Sequence, residues 1–169
     1  YYNLPLYKYL GGTSKYKMPT PMFNVINGGA HANNKLSFQE FMIIPVNNYN
    51  FSECLRKSSE VFHNLKSIIN DKGLSTSVGD EGGFAPDLNS ESDALDLISL
   101  AIKKSGYKLV DDFVFALDVA STEFYTKNKY KLLTQKNAFT SSEFSNFLKK
   151  MCNNYPIVSI EDPMAEDDW

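Results

Sequence analysis

Residues 113–119 read FVFALDV. The run is apolar at successive positions, and its one polar residue, Asp118, comes just before the end. A stretch apolar on both alternating faces predicts a strand covered on both sides, as in the parallel sheets of α/β proteins. Upstream, residues 91–105 carry Ala94, Leu95, Leu97, Ile98, Ala101 and Ile102 at helical spacing, with Asn89 or Ser90 as the cap and Gly106 as the stop. Downstream, STEFYTKNKYKLL (121–133) reads as a β-ribbon, and AFTSSEFSNFLKKM (138–151) as a helix capped by Thr140, Ser141 or Ser142. IVSIEDP (157–163) repeats the pattern of an apolar run that ends in acids. This alternation favours the α/β class with a largely parallel sheet, either a barrel or an open doubly wound sheet.

Toward the N-terminus, MFNVI (22–26) and EFMIIPV (40–46) read as two strands, with Pro45 ending the second or placing it at an edge. FSECLRKSSEVFHNLKSIIN (51–70) reads as a helix with Leu55, Ser59, Phe62, Leu65, Ile68 and Ile69 near helical spacing, ended by Gly73. His63, between Phe62 and Leu65, reads as a packed or half-exposed helix residue and not as a ligand. Residues 1–10 read as the tail of a helix stopped by Gly11 and Gly12, and residues 13–20 as a polar connector. The expected division is therefore 1–18 as the end of a preceding domain with its linker, and 19–169 as the domain proper.

The 169 residues carry a net charge of −3, which argues against a nucleic-acid binder. The pairs Lys103–Lys104 and Lys149–Lys150 read as solvated helix faces. No run approaches the roughly 20 apolar residues that a membrane span needs, and no signal peptide opens the chain. Cys54 and Cys152 stand outside any metal or redox spacing and are expected to be reduced, buried thiols. The chain opens and closes in mid-pattern, which suggests a fragment.

Three acidic points share one kind of place. Asp80–Glu81, Asp118 and Glu161–Asp162 each lie at or just after the end of an apolar run. In parallel α/β folds that end is where sites are built. A carboxylate there could simply cap a helix or pair with a lysine. Three together, in glycine-rich or apolar surroundings, favour a cation, and hard Mg²⁺ takes carboxylate oxygens. No GxGxxG, P-loop, HExxH or GxSxG pattern occurs, so nucleotide, zinc-hydrolase and serine-hydrolase chemistries are not signalled. GGAHANNKLSFQEF (28–41) raises its own question, because it sets a lone His31 on a glycine-led segment and Glu40 at the lip of an apolar run.

Four blocks in order, FNVINGGAHANNKLSFQEFMIIP, VGDEGGFAP, ALDVASTEFY and YPIVSIEDP, resemble the characteristic segments of the enolase family. The likeness covers essentially the whole chain, and the short connector before VGDEGG is similar to bacterial-type members. The resemblance implies a small N-terminal domain followed by a ββαα(βα)₆ barrel. Residues 22–46 would be the opening antiparallel hairpin and 157–161 the fourth strand, so the chain would hold roughly the first half of a TIM-like barrel.

The resemblance also implies the reaction, Mg²⁺-dependent dehydration of 2-phosphoglycerate to phosphoenolpyruvate in glycolysis. Intense electrostatic stabilisation of a carbanion is needed, and the handling of such ene-diolates by one or two Mg²⁺ is general to this superfamily. By resemblance Asp118 and Glu161 would be metal ligands and Glu81 the proton donor. Glu40 would lie beside Glu81 and share its proton. His31 would close over substrate on a mobile loop hinged at Gly28 and Gly29. Gln39 and Glu161 would lie near the substrate as well, with His31 and Glu40 contacting it.

Ala30 and Asn33 depart from the residues usual in that loop, which bears on its motion. The base lysine, third metal ligand, second histidine and a substrate lysine would lie beyond Trp169, and a second-metal serine before Tyr1. The 169 residues alone are therefore expected to be inactive. A cytoplasmic homodimer is implied for the complete protein, with the cell surface as a second location. The other function class to weigh is a surface-exposed receptor for host proteins, which would bind without Glu81 or Asp118. A third is another barrel enzyme of the superfamily, against which GGAHANNKLSFQEF and VGDEGGFAP argue.

Overall fold

The computed structural model describes residues 1–47 and 50–169. A short helix α1 (Leu6–Gly11) is exposed throughout and stops at Gly12, whose φ is 63°. The strands β1 (Phe23–Asn27) and β2 (Glu40–Pro45) follow, then the helices α2 (Phe51–Asp71) and α3 (Glu91–Lys104). Next come β3 (Phe113–Asp118), the two-residue strands β4 (Tyr125–Thr126) and β5 (Lys129–Tyr130), α4 (Ser141–Asn154) and β6 (Ile157–Glu161). Strands β1, β2, β3 and β6 form one sheet in that order, while β4 and β5 make a separate ribbon. The sheet is open, as expected for part of an enolase-type barrel.

Only the β3–β6 pairing is parallel; β1–β2 and β2–β3 are antiparallel. The largely parallel sheet expected from periodicity is corrected here, and the reason is the number of helices in the connection. One helix between two strands returns the chain to its starting end and gives a parallel pair. Two helices, α2 and α3, lie between β2 and β3, so the chain arrives reversed.

Helix ends follow local chemistry. The Asn50 side chain accepts the Glu53 N–H at 2.9 Å to start α2. The Ser90 hydroxyl accepts the Asp93 N–H at 3.1 Å to start α3. Thr140 and Glu143 form a reciprocal capping box at α4.

The central strands are covered on both faces, β3 along its whole length and β2 along most of its own. Phe41, Ile43, Phe113, Phe115 and Leu117 are fully buried in the core shared with Val61, Leu65 and Ile69 of α2 and Leu95 and Ile98 of α3. The other face pairs Met42 with Ala116 and Ile44 with Val114. At the end where β3 begins, that face lines an apolar cavity of about 690 Å³ with Met18, Pro19, Pro21, Pro45 and Val158.

Two details differ from expectation. The buried face of α2 is Cys54, Lys57, Ser58, Val61, Leu65, Ile68 and Ile69, while Leu55 and Ser59 are exposed. Cys152 is exposed, although Cys54 is buried, and neither is in a disulfide. His63 is exposed on α2. No helix among the described residues is long and apolar enough to cross a membrane.

Candidate functional site

The register of the sheet sets four polar residues in a row. Asn27 pairs with Glu40, Glu40 with Asp118, and Asp118 with Glu161. Glu40 begins its strand while the other three end theirs. The reversal of β2 brings Glu40 to the same end as the others. Neighbouring strands lie about 5 Å apart, so three carboxylates on successive strands repel one another strongly.

Asp118 is 8% exposed and well held. Its Oδ1 accepts the Ala120 N–H at 3.0 Å and its Oδ2 accepts the Gln39 amide at 3.1 Å. Burial pushes its carboxyl above the ordinary aspartate range, with these two donors pulling the other way. Glu161 is exposed on β6, at the end of the sheet order. Directly beyond these two acids the chain turns sharply: Ala120 has φ 47° and Asp162 φ 43°, both in the left-handed region. The Ser121 hydroxyl donates to the Asp162 carbonyl at 2.7 Å and joins the two turns.

Glu81 arrives differently. It is not at a strand end but in a turn closed by the Gly79 N–H donating to the Gly83 carbonyl at 2.8 Å. The turn is tied to β1 by the Gly83 N–H, which donates to Asn27 Oδ1 at 2.9 Å, and by the exchange of backbone bonds between Phe84 and both Val25 and Asn27. It is tied to the first loop by the Asp80 N–H donating to the His31 carbonyl at 3.0 Å. A Cβ on Gly83 would lie 2.7 Å from Asn27 Oδ1, so only glycine allows this approach.

The His31 loop returns on itself. The Gly28 N–H donates to the Gln39 carbonyl and the Gly29 N–H to the Leu36 carbonyl, at 3.1 and 2.8 Å. A Cβ at Gly28 would sit 2.5 Å from both Leu36 Cβ and the Phe38 carbonyl, and Gly29 has φ 52°. Close approach and handedness thus require both glycines in this conformation.

Within this frame His31, Glu40 and Glu81 converge. One ligand atom from each lies within 4.8 Å of the others. His31 Nδ1 is 3.8 Å from Glu81 Oε1, too far for a hydrogen bond, and it is buried with no hydrogen-bond partner among the described residues. Glu40 faces Glu81, and an oxygen of each is among the atoms lying within 4.8 Å of one another. The Glu40 carboxyl is pushed up from 4.5 to about 8, chiefly by burial, then by Glu81, then by Asp118 and Glu161. A carboxyl so raised holds its proton at neutral pH and can pass or share it.

Two donor sets therefore exist. Asp118 and Glu161, on adjacent strand ends, offer the all-oxygen ligands that Mg²⁺ prefers, and their chemistry fits it. The His31–Glu40–Glu81 group is the one set of three among the described residues whose ligand atoms converge. Its histidine nitrogen and its held proton suit acid–base work better than a hard cation.

Every residue singled out from the sequence for this site, Gly28, Gly29, His31, Gln39, Glu40, Glu81, Asp118 and Glu161, lies in this frame. Asp80 is exposed and contributes only its backbone. Asn27 was missed, yet its side chain bridges two loops, accepting from Gly83 and donating to the Gln39 carbonyl at 3.3 Å. The signal was present as a polar residue closing the apolar run FNVIN just before two glycines.

Residues 15–169 match the family model described as the enolase C-terminal TIM barrel domain.

Proposed function

Given that the chain belongs to the enolase family on the strength of that match, we propose that it forms part of an enzyme dehydrating 2-phosphoglycerate to phosphoenolpyruvate. The observation that supports this reading is the convergence of Glu40 and Glu81 with His31 beside the Asp118–Glu161 row, where the Glu40 carboxyl is pushed up to about 8. Loss of water from the substrate needs a proton for the departing C3 hydroxide and a base for the C2 proton. The proton shared by the pair passes from Glu40 to Glu81 and on to the departing hydroxide, which leaves as water, and both carboxyls end ionised. The C2 proton goes to a base outside this set, which the family likeness implies to be a lysine.

Asp118 and Glu161 would hold Mg²⁺, which when bound supplies positive charge to the electron-rich carboxylate of the reacting substrate. Gln39 orients Asp118 through its amide. His31 contacts substrate when its loop, hinged at Gly28 and Gly29, closes and excludes water. The remaining proposals follow the family: a bacterial-type, cytoplasmic glycolytic enzyme, homodimeric when complete, with the 169 residues inactive in isolation.

Glu81→Gln in the complete protein tests the assignment. Turnover is expected to fall by about a thousandfold, within the range for loss of a general acid. Mg²⁺ affinity by titration calorimetry is expected to stay unchanged. Dehydration at the normal rate by this variant would sink the reading.

A further inference from the structure

Glu91 is a carboxylate on the first turn of α3, only 1% exposed. No ion pair reaches it among the described residues. Burying such a group is unfavourable unless hydrogen bonds offset it. Both of its oxygens are used. Oε1 accepts the Ser37 N–H at 3.1 Å, and Oε2 accepts the Thr134 hydroxyl at 2.6 Å. Ser37 closes the circuit, its own hydroxyl accepting the Leu133 N–H at 2.7 Å. The positive end of the α3 dipole adds to the offset.

The partners of Glu91 give it reach. Ser37 lies on the return leg of the His31 loop, two residues before Gln39 and three before Glu40. That leg has no slack. The Gly29 N–H bonds to Leu36, the Ser37 carbonyl would lie 3.0 Å from a Cβ on Gly29, and the Gln39 N–H donates to the Asp118 carbonyl at 3.0 Å. A shift of Ser37 must therefore move the loop's first glycines, or Gln39 and Glu40, or both.

The structure assigns Glu91 as a positioning residue: it clamps the leg that carries Gln39 and Glu40 to the start of α3 and to the 121–140 excursion, and so fixes where those two side chains meet Asp118 and Glu81. It touches none of the reacting groups. For its kinetic consequence the assignment rests on the proposed dehydration, but the clamp itself does not.

The test compares Glu91→Ala, Glu91→Gln and Thr134→Val in the complete protein. A fourth variant, Leu97→Ala, is buried elsewhere on α3 and serves as a control for lost stability. Glu91→Ala leaves the Ser37 N–H buried without an acceptor, and its amide hydrogen exchange is expected to quicken about tenfold or more relative to the control. Turnover is expected to fall about tenfold to a hundredfold with KM changed little, because misplacement of acting groups affects the chemical step. Glu91→Gln keeps one acceptor for Ser37 and offers an N–H to the Thr134 oxygen, so it is expected to restore both readouts. Thr134→Val, which removes one bond only, is expected to fall between, and it carries the test if Glu91→Ala does not fold.

Equal Ser37 exchange in Glu91→Ala and Leu97→Ala would overturn the clamp. Normal turnover in Glu91→Ala, or no rescue by Glu91→Gln, would overturn the positioning role. If the unmodified protein does not dehydrate 2-phosphoglycerate, the proposed function fails while the exchange comparison still decides the clamp.

Discussion

Asp118 and Glu81 face the same mouth, one from a strand buried along its whole length and the other from a glycine turn. The strand offers position. Its register with β2 and β6 sets Asp118 between Glu40 and Glu161, and moving it would mean moving the sheet. The turn offers adjustability. Glu81, with its side chain 46% exposed, is held on a turn that hangs from Asn27 and the His31 carbonyl and is not itself part of a strand. Labour is thus divided: the sheet concentrates negative charge, and the loops bring Glu81 and His31 up to it.

That division can be broken in four places. The largest effect is expected at the sheet. Asp118→Asn in the complete protein should weaken Mg²⁺ binding by about a hundredfold or more, since loss of a charged ligand exceeds what a supporting partner of a metal site contributes. Titration calorimetry would measure it, and an equal loss in Glu81→Gln would erase the distinction between strand and loop.

Gly83→Ala comes next. Its Cβ would press on Asn27 Oδ1 and, at 3.0 Å, on Asn24 Oδ1 and the Ile26 nitrogen. A loss of about 1–3 kcal/mol in urea unfolding is expected from the overpacking. Turnover should drop and Mg²⁺ affinity should hold.

Third is pH. The carboxyl of Glu40 is raised in the folded state from 4.5 to about 8, so between those values the folded protein binds more protons than the unfolded chain. The stabilising contribution is complete below pH 4.5 and is lost as pH rises toward 8. Urea midpoints measured across that window should decline for the unmodified protein, and Glu40→Gln should flatten the decline.

The smallest effect lies away from the site. Thr140→Ala removes the capping box of α4 and should lower stability by about 1 kcal/mol. Metal affinity should not respond.

The acids on strand ends were legible because an acid closing an apolar run is conspicuous. Helix starts were legible for a similar reason, since Ser90 and Thr140 cap where capping residues precede helical periodicity. Other features depend on partners distant in sequence. The reversal of β2 follows from two helices packing as a hairpin before β3, and no residue in EFMIIP encodes it. The buried face of α2 was misplaced by about one position because Lys57 reads as exposed. In the structure its stem is buried and its ammonium lies 3.4 Å from Asp112 and 4.8 Å from the centre of the Tyr107 ring. In the sequence, Glu91 is an acid opening a helical pattern. Only the fold brings Ser37 and Thr134, 54 residues before it and 43 after, onto its two oxygens.

The hairpin of β1 and β2 has a consequence for movement. Because those strands are antiparallel neighbours, the segment bearing His31 has both its feet on the same rim, about 5 Å apart. To swing over the opening, this segment would have to release the bond between the His31 carbonyl and the Asp80 N–H, while both feet stay in place. A helical crossover between two parallel strands would instead have to span from one rim to the other, and it could not swing without dragging on the wall.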